Sequence, residues 1–356
     1  MNLLEYCYLN RPKNDFFAPR KAQLDQNPLI NLYGVRGSGK TSFILDWLDN
    51  LDEESLYIDM GDPKMLFEAF TLKSLQRYIQ EKEIKTVVLD HYDATFFDTL
   101  PACDRLIIVT RIQAGITDAA TIRLHTIDYE EFLGFETNVS QTNGFSHFFK
   151  MGSVPALLKS NQSTQLLAKD FLLSRFDPQE IRLLSLLAIH NTKELTINQI
   201  YTYAKKTFKI SKDWLYKKID EFLQEGIVYF IEDISKKGSK RVVLYDITLS
   251  NYLTTELNFG IHFESLVLLT LLKRDNEIYA LNANGYIIHS DKLIIPAPFE
   301  SEDSVWVKTQ KIFSDIKKSG IKRVEIVTVS NSYRYTIEDV VFEALPYYEW
   351  SIVEED

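Results

Sequence analysis

Along the first part of the chain, short unbroken apolar runs alternate with longer amphipathic stretches. Leu29-Ile-Asn-Leu-Tyr33, Ser55-Leu-Tyr-Ile-Asp59, Lys85-Thr-Val-Val-Leu-Asp90 and Asp104-Arg-Leu-Ile-Ile-Val-Thr110-Arg111 have the length and β-branched content of strands buried on both faces. Residues 41–48 and the stretch from Pro63 to Glu83 carry apolar side chains at helical spacing, the latter through Leu66, Phe70, Leu72, Leu75 and Ile79. A strand beginning at Ile122 leads into a helix that Asp128 caps. Such alternation predicts a parallel sheet flanked by helices, with ligands at the C-terminal ends of its strands. Residues 1–28 hold Arg11, Pro12, Pro19, Arg20 and Pro28 and read as an irregular lead-in with one short helix. Residues 1–150 are thus expected to form the first domain.

The pattern then turns helical. Leu166, Leu167, Phe171 and Leu172 fall on one helix, and Ile181, Leu183, Leu184, Leu186 and Leu187 on the next. Thr196 opens a helix from Ile197 to Lys206, and Ser211 caps another whose Leu215, Ile219, Phe222 and Leu223 share a face before Gly226 stops it. Ile227–Ile234 and Lys240–Ile247 flank Ser235-Lys-Lys-Gly-Ser239 as a hairpin, so residues 151–255 predict a helical lid ending in a winged helix. From residue 256 an apolar helix (His262–Arg274) precedes expected strands at Glu277–Leu281, Tyr286–Ile295 and Val305–Lys308. A helix (Ile312–Lys318), a strand (Val324–Val329) and a last strand around Tyr347, Tyr348 and Trp350 follow, with Glu354, Glu355 and Asp356 as a solvated tail.

One stretch carries specific chemistry. Gly34-Val-Arg-Gly-Ser-Gly-Lys-Thr41 fits G-x-x-x-x-G-K-[ST] without a mismatch, between an apolar strand and an amphipathic helix. In that context the backbone of Gly34, Val35, Arg36, Gly37, Ser38, Gly39 and Ser42 is expected to cradle the phosphates of ATP. Lys40 is expected to reach the β- and γ-phosphates, and the Thr41 hydroxyl to ligate Mg²⁺. Asp90, closing an apolar strand, is the Walker B candidate that holds Mg²⁺ opposite Thr41. Hydrolysing members of the additional-strand class place glutamate after it, whereas this chain has His91; either Asp93 takes the water-orienting part, or ATP is bound and turned over slowly. Thr110 stands where a polar γ-phosphate sensor would sit, and Arg105, Arg111 and Arg123 are candidates for an arginine finger or for structural roles.

Composition narrows the setting. With 356 residues, 45% hydrophobic and 25% charged, the chain has ample material for two or three cores. No apolar run reaches the ~20 residues of a membrane helix, and Met1-Asn-Leu-Leu-Glu-Tyr is unlike a signal peptide, so a cytoplasmic protein is expected. Cys7 and Cys103 match no metal or redox spacing. A net charge of −10 argues against a nucleic-acid-coating protein, yet residues 200–245 hold 10 Lys/Arg against 6 Asp/Glu. There Lys212, Lys217, Lys218, Lys236, Lys237, Lys240 and Arg241 fall where phosphate contacts of a winged helix would lie, unless they form a solvated face.

Gly34-Val-Arg-Gly-Ser-Gly-Lys-Thr, the strand ending in Asp90, Ile127-Asp-Tyr-Glu-Glu-Phe132 and Phe149-Lys-Met-Gly-Ser-Val-Pro155 together resemble the prokaryotic AAA-type ATPases of the archaeal-ATPase group within the STAND NTPases. The resemblance implies a Gly-Gly-x-Pro-like motif contacting the nucleotide base through Pro155, with Ser153 replacing its second glycine. It also implies a winged helix followed by a domain similar to PD-(D/E)xK nucleases. Glu264, Asp291 and Lys308 match three positions of that nuclease site, and Trp306 replaces the fourth, an acid; Glu300 or Glu302 could in principle fill the gap. An indole offers no oxygen to a hard cation, so a degenerate, non-cleaving scaffold that packs, oligomerises or binds a partner is expected. The expected fold is α/β: a P-loop NTPase parallel sheet, a helical and winged-helix lid, and a restriction-endonuclease-like α/β domain. The expected function is an ATP-dependent switch, against a DNA-associated motor or a non-hydrolysing protein that ATP stabilises.

Overall fold

The computed structural model describes residues 2–352 apart from 15–17, 137–140, 159–162, 235, 237, 275–276, 283–284 and 290. Lys237 and the acidic tail of the sequence reading lie outside the described residues. The chain divides into two compact units, Met1–Ile127 and Asp128–Asp356. No described helix is long and apolar enough to cross a membrane.

The first unit contains α1 (Leu3–Leu9), β1 (Leu29–Tyr33), α2 (Lys40–Asp49), β2 (Ser55–Asp59), α3 (Leu72–Glu81), β3 (Thr86–Asp90), β4 (Arg105–Thr110) and β5 (Ala120–Arg123). Its strands are all parallel, in the order β2-β3-β4-β1-β5. One strand, β4, therefore stands between the strand leading into the glycine-rich loop and the strand ending in Asp90. Because successive side chains point to opposite faces, each strand serves two cores. Leu56, Ile58, Val87, Leu89, Leu106 and Ile108 pack with Leu4 of α1 and with Leu75, Tyr78 and Ile79 of α3. Ile30, Leu32, Tyr57, Val88, Ile107 and Val109 pack with Phe43, Ile44, Leu45 and Leu48 of α2 on the other face. This parallel sheet between helices, with its loop after β1, is the P-loop NTPase fold. The helix expected from Pro63 begins only at Leu72: Pro63–Leu66 is a single 3₁₀ turn, and a capping box between Thr71 and Ser74 starts α3.

The second unit opens with α4 (Tyr129–Phe135), which Asp128 and Glu131 close with a capping box, then α5 (Gln141–Met151), α6 (Thr164–Arg175) and α7 (Pro178–Ile189). β6 (Glu194–Leu195), α8 (Ile197–Thr207), α9 (Lys212–Glu225), β7 (Val228–Asp233) and β8 (Lys240–Leu244) follow, with Thr196 and Ser211 as caps and Gly226 ending α9 in the left-handed conformation. Next come α10 (Ile247–Tyr252), α11 (Phe259–Lys273), β9 (Tyr279–Ala280), β10 (Tyr286–Ile288), β11 (Lys292–Pro296) and α12 (Glu302–Lys318). β12 (Arg323–Thr328), β13 (Tyr333–Ile337), β14 (Val340–Pro346) and α13 (Tyr347–Trp350) complete the chain. Among the described residues nine strands make one mixed sheet, β13-β14-β12-β11-β10-β9-β7-β8-β6, which runs straight across residue 255 because β7 pairs with β9.

Three expected elements differ. Tyr286–Ile295 is two antiparallel strands, folded back after Ile288 where His289 takes a positive φ of 51°. Val305–Lys308 is helix, not strand: Ser301 caps α12 by accepting from the Ser304 amide, and Glu302 and Asp303 favour its first turn, overriding the β preference of Val305-Trp306-Val307. Tyr347–Trp350 is helical, with Tyr347 buried against Phe145 and Tyr129.

Candidate functional site

The loop after β1 is built by close approach. A Cβ on Gly34 would lie 2.2 Å from the Leu124 carbonyl oxygen, so only glycine fits there. Gly37 and Gly39 hold φ of 86° and 93°, and Gly39 begins α2 with no side-chain cap on the helix N-terminus. The first amides of a helix lack intrahelical partners and favour anions, so this end suits a phosphate. Lys40 Nζ folds back over the loop, donating to the Gly34 and Val35 carbonyls at 2.6 and 3.1 Å. The Ser38 hydroxyl is fully buried with no hydrogen-bond partner among the described residues. From outside, the Arg20 guanidinium donates to the Ser38 and His125 carbonyls at 2.8 and 2.6 Å, and the Asn14 amide to the Ser42 carbonyl at 3.1 Å. Nothing in the sequence pattern singled out Arg20, since an arginine in a proline-containing lead-in has no local signature.

Asp90, 1% exposed, is brought to this loop. Its Oδ2 accepts from the Thr41 hydroxyl at 2.7 Å and from the Tyr57 hydroxyl at 2.8 Å, and its Oδ1 from the His91 amide at 2.8 Å. Burial, then the Asp90 charge, pushes the Tyr57 phenol far above its ordinary range, so it stays a donor. Beside this, the His91 ring nitrogen Nδ1 contacts Asp59 Oδ1 at 2.8 Å, and that hydrogen bond, opposed by burial, raises the imidazole pKa. Asp59 escaped the sequence reading because a strand-closing aspartate carries no motif; only the register Asp59↔Asp90 places it.

Other expected site residues lie elsewhere. Asp93 is exposed and accepts from the Thr95 amide at 2.9 Å; hydrogen bonds from Thr95 lower its pKa. The Thr110 hydroxyl donates to the Ile112 carbonyl at 2.6 Å and accepts from buried Asn31 at 2.9 Å, while Asn31 also takes the Ala114 amide. The threonine thereby shapes the turn after β4. Arg105 lies over the Trp47 ring at 5.5 Å.

In the second unit, Pro155 starts a single 3₁₀ turn. Before it, buried Asp246 accepts from the Ser153 amide and hydroxyl at 2.6 and 2.9 Å and caps α10 at the Leu249 amide at 2.9 Å. The serine in the second glycine position is therefore a donor to a buried carboxylate. Among the cations expected to meet phosphate, Lys218 pairs with Glu180 at 3.1 Å, Lys236 with Glu194 at 2.9 Å and Lys240 with Glu232 at 2.7 Å. Lys217 is exposed beside Glu221 and Lys212 lies over Tyr216.

Glu264, Asp291 and Lys308 are engaged separately. Glu264 accepts from Tyr286 and lies 3.6 Å from Arg241, whose guanidinium also donates to the Asn282 carbonyl at 2.5 Å. Asp291 lines an open groove with Lys322, Arg323 and Arg334, and Lys308, on a helix and not the expected strand, pairs with Glu300. Trp306 packs edge-on against Tyr335. Among the described residues no group of three or more His, Cys, Asp or Glu is placed to hold a metal.

No protein-family model and no curated protein matches the chain. Among solved structures, a Walker-type ATPase of Pyrococcus abyssi is similar at 16% identity over 64% of this chain and 91% of that one, with a TM-score of 0.42. The Drosophila ORC bound to DNA is similar at 11% identity over 63% and 80% of the two chains, with a TM-score of 0.23. A second Drosophila ORC structure, with AT-rich DNA and Cdc6, gives 11% identity and a TM-score of 0.18. The fold assignment rests on the strand order and the loop.

Proposed function

We propose that the first unit binds ATP with Mg²⁺ and hydrolyses it, and that the chain works as a nucleotide-dependent switch. The observation that carries this reading is the 2.7 Å contact between Thr41 and Asp90 beneath a glycine-lined, uncapped helix N-terminus. The donor set fits the group: hydroxyl and carboxylate oxygens suit Mg²⁺, and the loop backbone with Lys40 suits phosphate. Thr41 and Asp90 would hold Mg²⁺ there, and the ion would supply positive charge against the charge that develops on the phosphates. Thr41 can ligate through its oxygen while its hydroxyl proton goes on donating to Asp90, and the Tyr57 hydroxyl keeps that carboxylate aimed. Lys40 would exchange the Gly34 and Val35 carbonyls for phosphate oxygens.

In this reading residues 1–150 form the ATPase part, 151–255 a lid in which α8, α9 and the β7/β8 hairpin act as a winged-helix scaffold, and 256–356 a nuclease-like scaffold without cleavage chemistry. Glu264 sits against Arg241 as a structural ion pair, which supports a packing or partner-binding role for that last part. The test is ATP turnover and binding by the whole chain with Mg²⁺, for wild type, Lys40→Ala and Asp90→Asn, with and without duplex DNA. Turnover lost in both variants supports the proposal, and wild type that neither binds nor hydrolyses ATP above Lys40→Ala refutes it. Stimulation by DNA would move the assignment to a DNA-associated motor.

A further inference from the structure

We infer that Asp59 supplies the carboxylate that aligns and deprotonates the attacking water, in place of an acid at position 91. The inference rests on the ATP-hydrolysing reading above. β2 and β3 are parallel neighbours with Asp59 opposite Asp90, so their Cα atoms stand about 4.8 Å apart on adjacent strands. Both aspartates are the last residues of their strands, at the C-terminal end of the sheet where the glycine-rich loop also opens.

The two oxygens of Asp59 are treated differently. Oδ1 is pinned by the Gly61 amide at 2.9 Å and by His91 Nδ1 at 2.8 Å. An ionised carboxylate only accepts, so Nδ1 carries the proton in that contact. Oδ2 has no hydrogen-bond or ion-pair partner among the described residues, and the Asp59 side chain is 37% exposed where that of Asp90 is 1%. One aspartate is thus buried and saturated, and its neighbour offers an open acceptor. His91 is a positioning residue: its φ of 53° turns the chain so that the ring reaches back to β2. There is little slack, since a Cβ on Gly61 would meet both Asp59 Oδ1 and His91 Cβ at 3.3 Å. Asp93, the other acid near the end of β3, is committed to the Thr95 amide.

In the step this serves, the water oxygen bonds to the γ-phosphorus while the bond from that phosphorus to the bridging oxygen breaks, its electron pair leaving on ADP. The water proton passes to Asp59 Oδ2 and then to the released phosphate.

The experiment measures steady-state ATP hydrolysis by the full chain and binding of a fluorescent N-methylanthraniloyl ATP with Mg²⁺. Asp59→Asn is expected to lower kcat by about 100-fold or more while KM and analogue affinity change little, the size typical of losing a general base. His91→Ala should lose about tenfold in kcat alone. His91→Asn, whose amide can donate to Asp59 and which tolerates a positive φ, should recover part of that loss. Asp59→Asn turning over within about threefold of wild type, while Lys40→Ala is dead, overturns the inference and leaves the proposed function standing. Loss of analogue binding in Asp59→Asn assigns the residue to shaping the site and also overturns it. Wild type without turnover above Lys40→Ala removes the hydrolytic reading and this inference together.

Discussion

Replacing Asp246 by alanine should destabilise the second unit more than any other single polar change there. The carboxylate is fully buried and accepts three hydrogen bonds, from the Ser153 amide, the Ser153 hydroxyl and the Leu249 amide. Loss of a helix cap costs about 1 kcal/mol. Each buried donor left without its charged acceptor costs about 1–3 kcal/mol, and the serine hydroxyl can rotate to recover some of that. The expected total is about 3–5 kcal/mol, against about 5–15 kcal/mol for a typical domain. Urea unfolding followed by tryptophan fluorescence reads it, because Trp214, Trp306 and Trp350 lie in the second unit and only Trp47 in the first. Gly152→Ala supplies the cross-check. Gly152 has φ 79°, and a Cβ there would meet Thr248 Oγ1 at 2.6 Å and Asp246 Oδ2 at 2.7 Å. In the Asp246→Ala background the second clash is gone, so the same substitution should cost only the left-handed strain of about 1–2 kcal/mol plus the Thr248 contact. A midpoint shift in Asp246→Ala worth under about 1 kcal/mol at unchanged m, or strictly additive variants, would refute the claim that this carboxylate clamps the segment before Pro155.

Gly34→Ala should weaken ATP binding by more than about tenfold with far-UV circular dichroism unchanged, since its Cβ would force the loop away from Leu124 by displacement alone. Arg241→Met leaves Glu264 without its cation, while Glu194 keeps Lys236, and is expected to cost about 2–4 kcal/mol in urea unfolding, with Glu264→Gln added on top restoring part of it. Burial lowers the pKa of His262, which is 6% exposed. The unfolded chain then binds the proton more readily, so the stabilisation is present above about pH 6.5 and is lost as pH falls from there through the folded value. Unfolding midpoints should accordingly drop between pH 7.5 and 5, and less so in His262→Gln.

The parallel sheet of the first unit was legible because its strands are buried on both faces and so appear as continuous apolar runs, and the glycine-rich loop because its residues are contiguous. Capped helices were legible for the same local reason, as at Asp128, Thr196 and Ser211. What depends on register was not. Asp59 matters only once β2 is laid beside β3, and Asn31, one polar residue in an apolar run, is explained only by its bonds to β4 and the Ala114 amide. β13 was missed because it alternates half-buried and exposed positions and reads as loop. In α12 a cap and two acids decided against the apolar triplet that suggested a strand.

The joining of β7 to β9 has a mechanical consequence. The seam consists of two residue pairs, Glu232↔Tyr279 and Asp233↔Ala280, with one further bond from the Ile234 amide to the Ala280 carbonyl. On one side stand the hairpin and β6, on the other β9 to β14. Load applied to either side passes to the other through those few backbone bonds and through Arg241, which reaches from β8 to the Asn282 carbonyl and to Glu264 of α11, so side-chain contacts rivet a seam that backbone pairing alone would leave narrow.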